Sequence, residues 1–153
     1  MKPLLAAPAA VLIALLGPPA GHAHADPGAV AANPSGPSYL PPFVDHVEWT
    51  QWNGLSSLRV FPTPSARMAA RQAGAEVARA PEASADEAWA EVLALAPAAD
   101  TPGMRAQFVC HWQFAELARP GKSSWNLEPW RPVVDDAEMF ASGCNPGGPE
   151  EAF

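Results

Sequence analysis

The chain is 153 residues long and 48% hydrophobic, carries a formal net charge of −7, and holds 19 prolines but only two cysteines. That length supports one domain with a real core and is short for two. The acidic balance opposes nonspecific attraction to nucleic acid, so a nucleic-acid partner is disfavoured, and no later stretch approaches the roughly 18 apolar residues of a membrane span.

Residues 1–25 read as a secretory signal peptide. Lys2 supplies a positive start, Leu4 to Leu16 an apolar run interrupted only by Pro8, and Ala23-His24-Ala25 the small-x-small pattern that precedes a cut. Cleavage near Ala25 places the mature protein outside the cytosol, secreted or retained at the cell envelope, with no transmembrane segment. It also discards His22 and His24, whose spacing otherwise suggests a metal pair. Export puts Cys110 and Cys144 into an oxidising compartment, where they are expected to pair. Closing that loop of about 34 residues stabilises by roughly 3 to 4 kcal/mol in the chain-entropy account.

Residues 26–42 hold Pro27, Pro34, Pro37, Pro41 and Pro42 among small polar residues, a composition with little apolar surface to offset ordering entropy, and read as a flexible leader. From Phe43 the pattern changes to period two. Asn53-Gly54 separates two strand-like runs, the strongest short-range hairpin signal. With these two residues as the loop, Trp52 pairs with Leu55. Trp49 then faces Leu58 and Val47 faces Val60 on an apolar side, while Glu48 faces Arg59 and Thr50 faces Ser57 on a polar one. The Trp49 side is the one expected to be buried, because a lone hairpin is marginal in water.

Pro62 and Pro64 end the second strand, and residues 65–77 are weakly helical, with Gly74 interrupting. Ser84-Ala85-Asp86-Glu87 is a capping box that predicts a helix start at Ser84. Its stripe is Ala85, Ala88, Trp89, Val92 and Leu95 or Ala96, and Pro97 stops it. Thr101 as N-cap with Pro102 at the first helical position predicts a third helix to about Ala118. The apolar arc of that helix runs from Leu117 and Cys110 through Phe114, His111, Met104 and Ala115 to Phe108 and Trp112. Only Arg105, Glu116 and Gln113 are left for water, so it should be the central helix. Residues 123–132 read as loop, 133–141 as a short helix or strand, Cys144 to Gly148 as turn, and 147–153 as a disordered acidic tail.

His111 is the candidate catalytic residue, since a buried histidine can act as acid or base near neutrality. The competing reading is a core histidine bonded to backbone. His46, beside Glu48 and Arg59, reads as a surface residue. The segment Trp125-Asn126-Leu127-Glu128-Pro129-Trp130-Arg131-Pro132 concentrates binding-type residues: Trp125, Trp130 and Arg131 can cradle a ligand, and Glu128 or Arg131 can partner His111. The same residues equally suit a loop plugged into a core, with Glu128 and Arg131 paired. Asp135, Asp136 and Glu138 lack the spacing of a calcium loop and read as a solvated face. No metal site and no cofactor is expected. Gly121-Lys122-Ser123 looks like the end of a phosphate-binding loop, but Glu116 stands where that loop needs glycine.

The stretch from Gly103 to His111, Lys122, the Trp125 to Pro132 string and Cys144-Asn145-Pro146 together resemble a secreted bacterial domain family of unknown function common in actinobacteria. The similarity covers about residues 45–150. The resemblance implies export and one compact domain containing both cysteines, and it brings no activity and no site. The expected fold is α+β: a single domain at 43–146 in which a β-hairpin, with a third strand from the C-terminal third as an option, packs on a central helix closed by one disulfide. The leading function is a secreted or envelope-associated binding or structural protein with a cell-envelope or protein partner. The alternative is a small secreted hydrolase, toxin-like, using His111. The two separate on whether His111 stands in an open cleft within reach of a carboxylate.

Overall fold

Asn53 and Gly54 both take positive φ, 50° and 80°, the backbone that a two-residue hairpin turn of type I′ requires. They join β1 (Val44–Trp52) to β2 (Leu55–Pro62). The structure, a computed structural model, describes residues 39–75 and 82–149. The signal-peptide reading of 1–25, His22 and His24, most of the 26–42 leader and residues 150–153 lie outside the described residues.

Every cross-strand pair expected from the turn is present, from Trp52↔Leu55 to Val47↔Val60. The register then slips between Val44 and His46, leaving Asp45 as the extra residue of a bulge. A third strand, β3 (Trp125–Leu127), runs antiparallel along the far side of β2, with Leu58↔Leu127 and Val60↔Trp125, and completes the sheet order β1-β2-β3.

Leu58 and Val60 are fully buried, but Trp49 is 43% exposed. The expectation of a buried Trp49 is thereby corrected: burial follows β2, which lies between two strands, and weakens on the outer strand β1 close to the hairpin tip. The polar side is corrected too. Ser57 is fully buried because its hydroxyl donates to the Glu128 carboxylate at 3.0 Å.

Helix α1 (Pro64–Ala75) buries Ala66, Ala69, Ala70, Ala73 and Gly74, a small-residue stripe at helical spacing. It lets the next layer approach closely: a Cβ at Gly74 would stand 2.5 Å from the Gln113 carbonyl oxygen. Helix α2 (Glu82–Leu95) starts two residues before the expected cap, so Ser84 lies inside it rather than at its N-cap. Its buried stripe is Ala85, Ala88, Trp89, Val92 and the following Ala96, with Leu95 exposed. From this helix Glu91 accepts hydrogen bonds from the backbone N–H of Phe43 and Val44 at 2.8 and 2.7 Å, fixing the start of β1.

Helix α3 (Met104–Ala118) is the central one, but it begins after Gly103, whose φ of 86° turns the chain into the helix. Thr101 is therefore not the N-cap; its carbonyl accepts from Met104 N–H at 3.2 Å in the turn before. Phe108 is the hub of the core, with ring centroids of Trp89, Trp125 and Trp112 at 5.5, 6.0 and 6.1 Å. Two positions on this helix reverse the expectation. Glu116, assigned to water, is buried, because Arg67 of α1 pairs with it at 2.6 Å and the Gly121 N–H donates to it at 3.2 Å. Leu117, assigned to the core, is exposed.

The segment 133–141 resolves as a helix, α4 (Asp136–Ala141), with Asp135 as N-cap accepting from Glu138 N–H at 2.9 Å. Cys110 of α3 and Cys144 beyond α4 form a disulfide with a Cα–Cα distance of 5.5 Å. The described residues form an α+β domain: a three-stranded antiparallel sheet, four α-helices and one disulfide. Among the described residues no helix is long and apolar enough to cross a membrane.

Candidate functional site

A helix rises about 6 Å per four residues and a strand about 6.7 Å per two, so side chains one turn apart on α3 can meet alternate residues of an adjacent strand. Gln107 and His111 do this along β3. Gln107 Nε2 donates to the Glu128 carbonyl at 3.0 Å, and its Oε1 accepts from the Glu128 N–H at 2.9 Å. His111 Nε2 donates to the Asn126 carbonyl at 3.1 Å. A carbonyl only accepts, so Nε2 carries the proton and Nδ1 is the basic nitrogen. Burial is the main cause that pushes the His111 pKa down to about 3; the Lys122 charge and, more weakly, Arg131 act in the same direction, while the bond to Asn126 opposes them. His111 is neutral across the physiological range, far from the pKa of about 7 that suits an acid–base catalyst.

Glu128 and Arg131 lie next to this ladder. Arg131 Nε donates to Glu128 Oε2 at 2.6 Å, with both side chains fully buried, and Ser57 holds the other carboxylate oxygen. The rest of the guanidinium closes on backbone: Nη1 donates to the carbonyls of Pro146 at 3.1 Å and Gly148 at 2.9 Å, and Nη2 to that of Pro149 at 3.3 Å. It also sits 4.6 Å from the centre of the Trp130 ring, and Trp125 is in the core. The structure thus brings His111, Glu128 and Arg131 into one region, but ties the imidazole to a backbone carbonyl and the carboxylate to Ser57 and Arg131. Trp125 and Arg131 are turned inward and offer no open surface. His46 is exposed, 2.6 Å from Asp45 and stacked on Phe61. Among the described residues no group of three or more His, Cys, Asp or Glu side chains is placed to hold a metal ion.

On the α4 side of His111 lies a cavity of about 410 Å³. The C-terminal half of α3 gives it His111 and Phe114, the loop after α3 gives Arg119 and Lys122, and α4 with its following turn gives Phe140 and Asn145. Phe114 and Phe140 meet edge to face at 4.9 Å. Burial and the neighbouring Arg119 charge lower the Lys122 pKa to about 8, against the opposing pull of Glu128. Of these lining residues His111 and Phe114 stand out by periodicity. Lys122 had one available signal, being with Lys2 one of the two lysines in an acidic chain. Phe140 and Arg119 had none, since α4 is brought to α3 by contacts distant in sequence: the Cys110–Cys144 link, Met139 packed against Cys110, and the Phe114–Phe140 pair.

Residues 44–147 match the family described as "Protein of unknown function (DUF2599)". An uncharacterized protein of Mycobacterium tuberculosis is 60% identical over 155 residues, covering 100% of both chains, and one of Mycobacterium bovis is similar to the same extent. An uncharacterized protein of Mycobacterium leprae is 51% identical over 116 residues, 76% of this chain and 89% of its own. No solved structure matches the chain. The matched segment carries the hairpin, the α3–β3 ladder, the Glu128–Arg131 pair, the cavity and both cysteines, and the chain belongs to the DUF2599 family.

Proposed function

We propose that this protein is an exported binding domain, secreted or held at the cell envelope, whose ligand site is the cavity between α3 and α4. The observation that carries this reading is a contrast on the two sides of His111: toward β3 its polar groups are consumed by structural bonds, whereas toward α4 a cavity of about 410 Å³ adjoins it, a size within the range of small-molecule sites. Export is supported by the order of charge, apolar run and Ala-x-Ala in residues 1–25 and by the disulfide, which persists in oxidising compartments. The hydrolase alternative has less support. A general base needs a reachable partner and a pKa near neutrality, while His111 is held neutral down to a pKa of about 3 and Glu128 is closed off by Arg131 and Ser57.

Amide NMR spectra of the oxidised domain, titrated with the neutral probe 3-phenylpropanol, test the site. Saturable shifts concentrated at residues lining the cavity, and lost in Ala118→Trp, are the expected result. Shifts that are absent, or unchanged when the cavity is filled, would remove the cavity as a binding site. Intact mass of protein recovered from medium or envelope tests export: retention of Met1 would overturn it.

A further inference from the structure

Two polar atoms in the wall of the cavity are left unspent by the fold, and both are acceptors. Asn145, in the turn after α4, is 8% exposed and lines the cavity. Its Nδ2 donates to the Gly143 carbonyl at 2.7 Å, which fixes the end of the amide that is oxygen. That oxygen, Oδ1, is buried and has no hydrogen-bond partner, a costly state that native interiors seldom carry without a reason. His111 supplies the second acceptor. Its one N–H, on Nε2, is spent on the Asn126 carbonyl of β3. The two ring nitrogens point in divergent directions, so the Nδ1 lone pair is turned away from β3, and His111 is itself part of the cavity wall. Lys122 and Arg119, which also line the cavity, already have interactions of their own. Much of the remaining wall is apolar: Phe114 and Phe140 in edge contact, with Ala115 and Ala118 of α3 beside them.

We infer that the cavity takes a neutral hydrogen-bond donor, an alcohol or a carboxamide, whose O–H or N–H is accepted by these two unspent atoms while its aromatic or branched body lies against Phe114 and Phe140. This rests on the cavity being the binding site, as proposed above. A ligand that only accepts would set its lone pairs against those of Asn145 Oδ1 and His111 Nδ1, giving up its water without a new bond in return. A ligand that donates satisfies a buried oxygen that the fold leaves empty-handed, so the gain is made only with the donor present. The donor is neutral for a reason visible at His111 itself. Burial, the main cause that keeps a proton off this imidazole down to a pKa of about 3, equally disfavours any other positive charge brought to Nδ1.

The test compares 3-phenylpropanol with 3-phenylpropanenitrile, which keeps the aromatic body and a polar end but has no donor. Amide shifts of the oxidised domain give the affinities at neutral pH, and the side-chain nitrogen signals of His111 and the carboxamide carbon of Asn145 report on the two acceptors. The alcohol should bind about tenfold tighter than the nitrile, the scale of one well-made hydrogen bond. It alone should move the His111 Nδ1 signal upfield or the Asn145 carboxamide carbon downfield, the signatures of an acceptor that has been filled. Equal affinity, tighter binding of the nitrile, or a preference for the alcohol with both acceptors unmoved overturns the donor inference and leaves the cavity reading standing. Binding of neither probe overturns both.

Discussion

Gln107 and Glu128 exchange two hydrogen bonds, the amide side chain of one facing the peptide groups of the other at 3.0 and 2.9 Å. The pairing imitates the contact between neighbouring strands, and it means that a single side chain of α3 answers both backbone polar groups of a fully buried residue. Replacing Gln107 with leucine keeps the bulk but leaves the buried Glu128 N–H without a partner, while the Glu128 C=O keeps only the Arg131 N–H at 3.2 Å. An orphaned group costs about 1 to 3 kcal/mol, so Gln107→Leu should lower stability by roughly that amount. Urea denaturation measures it, and a loss below about 1 kcal/mol would show that water replaces the amide at no cost.

Breaking the buried Glu128–Arg131 pair from one side should be worse than removing both partners. Arg131→Met strands the Glu128 carboxylate in the interior and should cost about 3 to 5 kcal/mol, while adding Glu128→Leu should recover part of that loss. The double-mutant cycle reads the recovery directly. The carbonyls of Pro146, Gly148 and Pro149 also lose their donor in both variants, so recovery should be incomplete.

His111 predicts a pH dependence. Its pKa lies at about 3 in the folded protein against 6.5 for the free side chain. Between these values the unfolded chain binds a proton that the folded chain does not, so stability is full above about pH 6.5 and declines as the pH falls toward 3. The slope from this one group is about 1.4 kcal/mol per pH unit. Comparing stability against pH for the parent and His111→Gln isolates it, because the variant should lose that component of the slope. Parallel curves would mean that His111 is solvated or charged in the folded state.

Trp49 and Leu58 face each other across the hairpin but should respond differently to truncation. Leu58→Ala, at a fully buried site, should cost about 2 to 5 kcal/mol. Trp49→Ala, at a site left partly in water, should cost only about 1 to 2 kcal/mol. Equal losses would indicate that the Trp49 indole is covered in solution.

The disulfide should be quantitatively present in exported protein, with no thiol labelling before reduction. Cys110→Ser should destabilise by about 2 to 5 kcal/mol, and it should also weaken 3-phenylpropanol binding, because Cys144 lines the cavity.

The hairpin was legible because local turn chemistry and cross-strand patterning agree: Asn53-Gly54 sets a register that Trp49, Leu58, Val47 and Val60 independently satisfy. What local patterning misses is set by neighbours distant in sequence. Glu116 sits on the polar face of an isolated α3, and only the arrival of Arg67 from α1 makes its burial tolerable. The α3 start was misplaced for a local reason of the opposite kind, since Thr101-Pro102 has the chemistry of a helix start but Gly103 takes the left-handed turn that begins it. At the site, His111 was visible from helical periodicity. Lys122, Arg119 and Phe140 come to it from a loop and a short helix whose placement depends on the disulfide.

The grip of Arg131 on the carbonyls of Pro146, Gly148 and Pro149 sets where this domain can be cut. Past Cys144 the described residues form no helix or strand; a boundary drawn from the matched region, which ends at 147, would trim away two of the three acceptors, and one drawn at the last element all three. A fragment ending at Asn145 would retain every regular element and both cysteines, yet leave a buried guanidinium without the oxygens that complete its shell, a loss comparable to deleting a core side chain. The shortest self-sufficient piece therefore extends through Pro149, and an expression boundary chosen by secondary structure alone would yield a weakened domain.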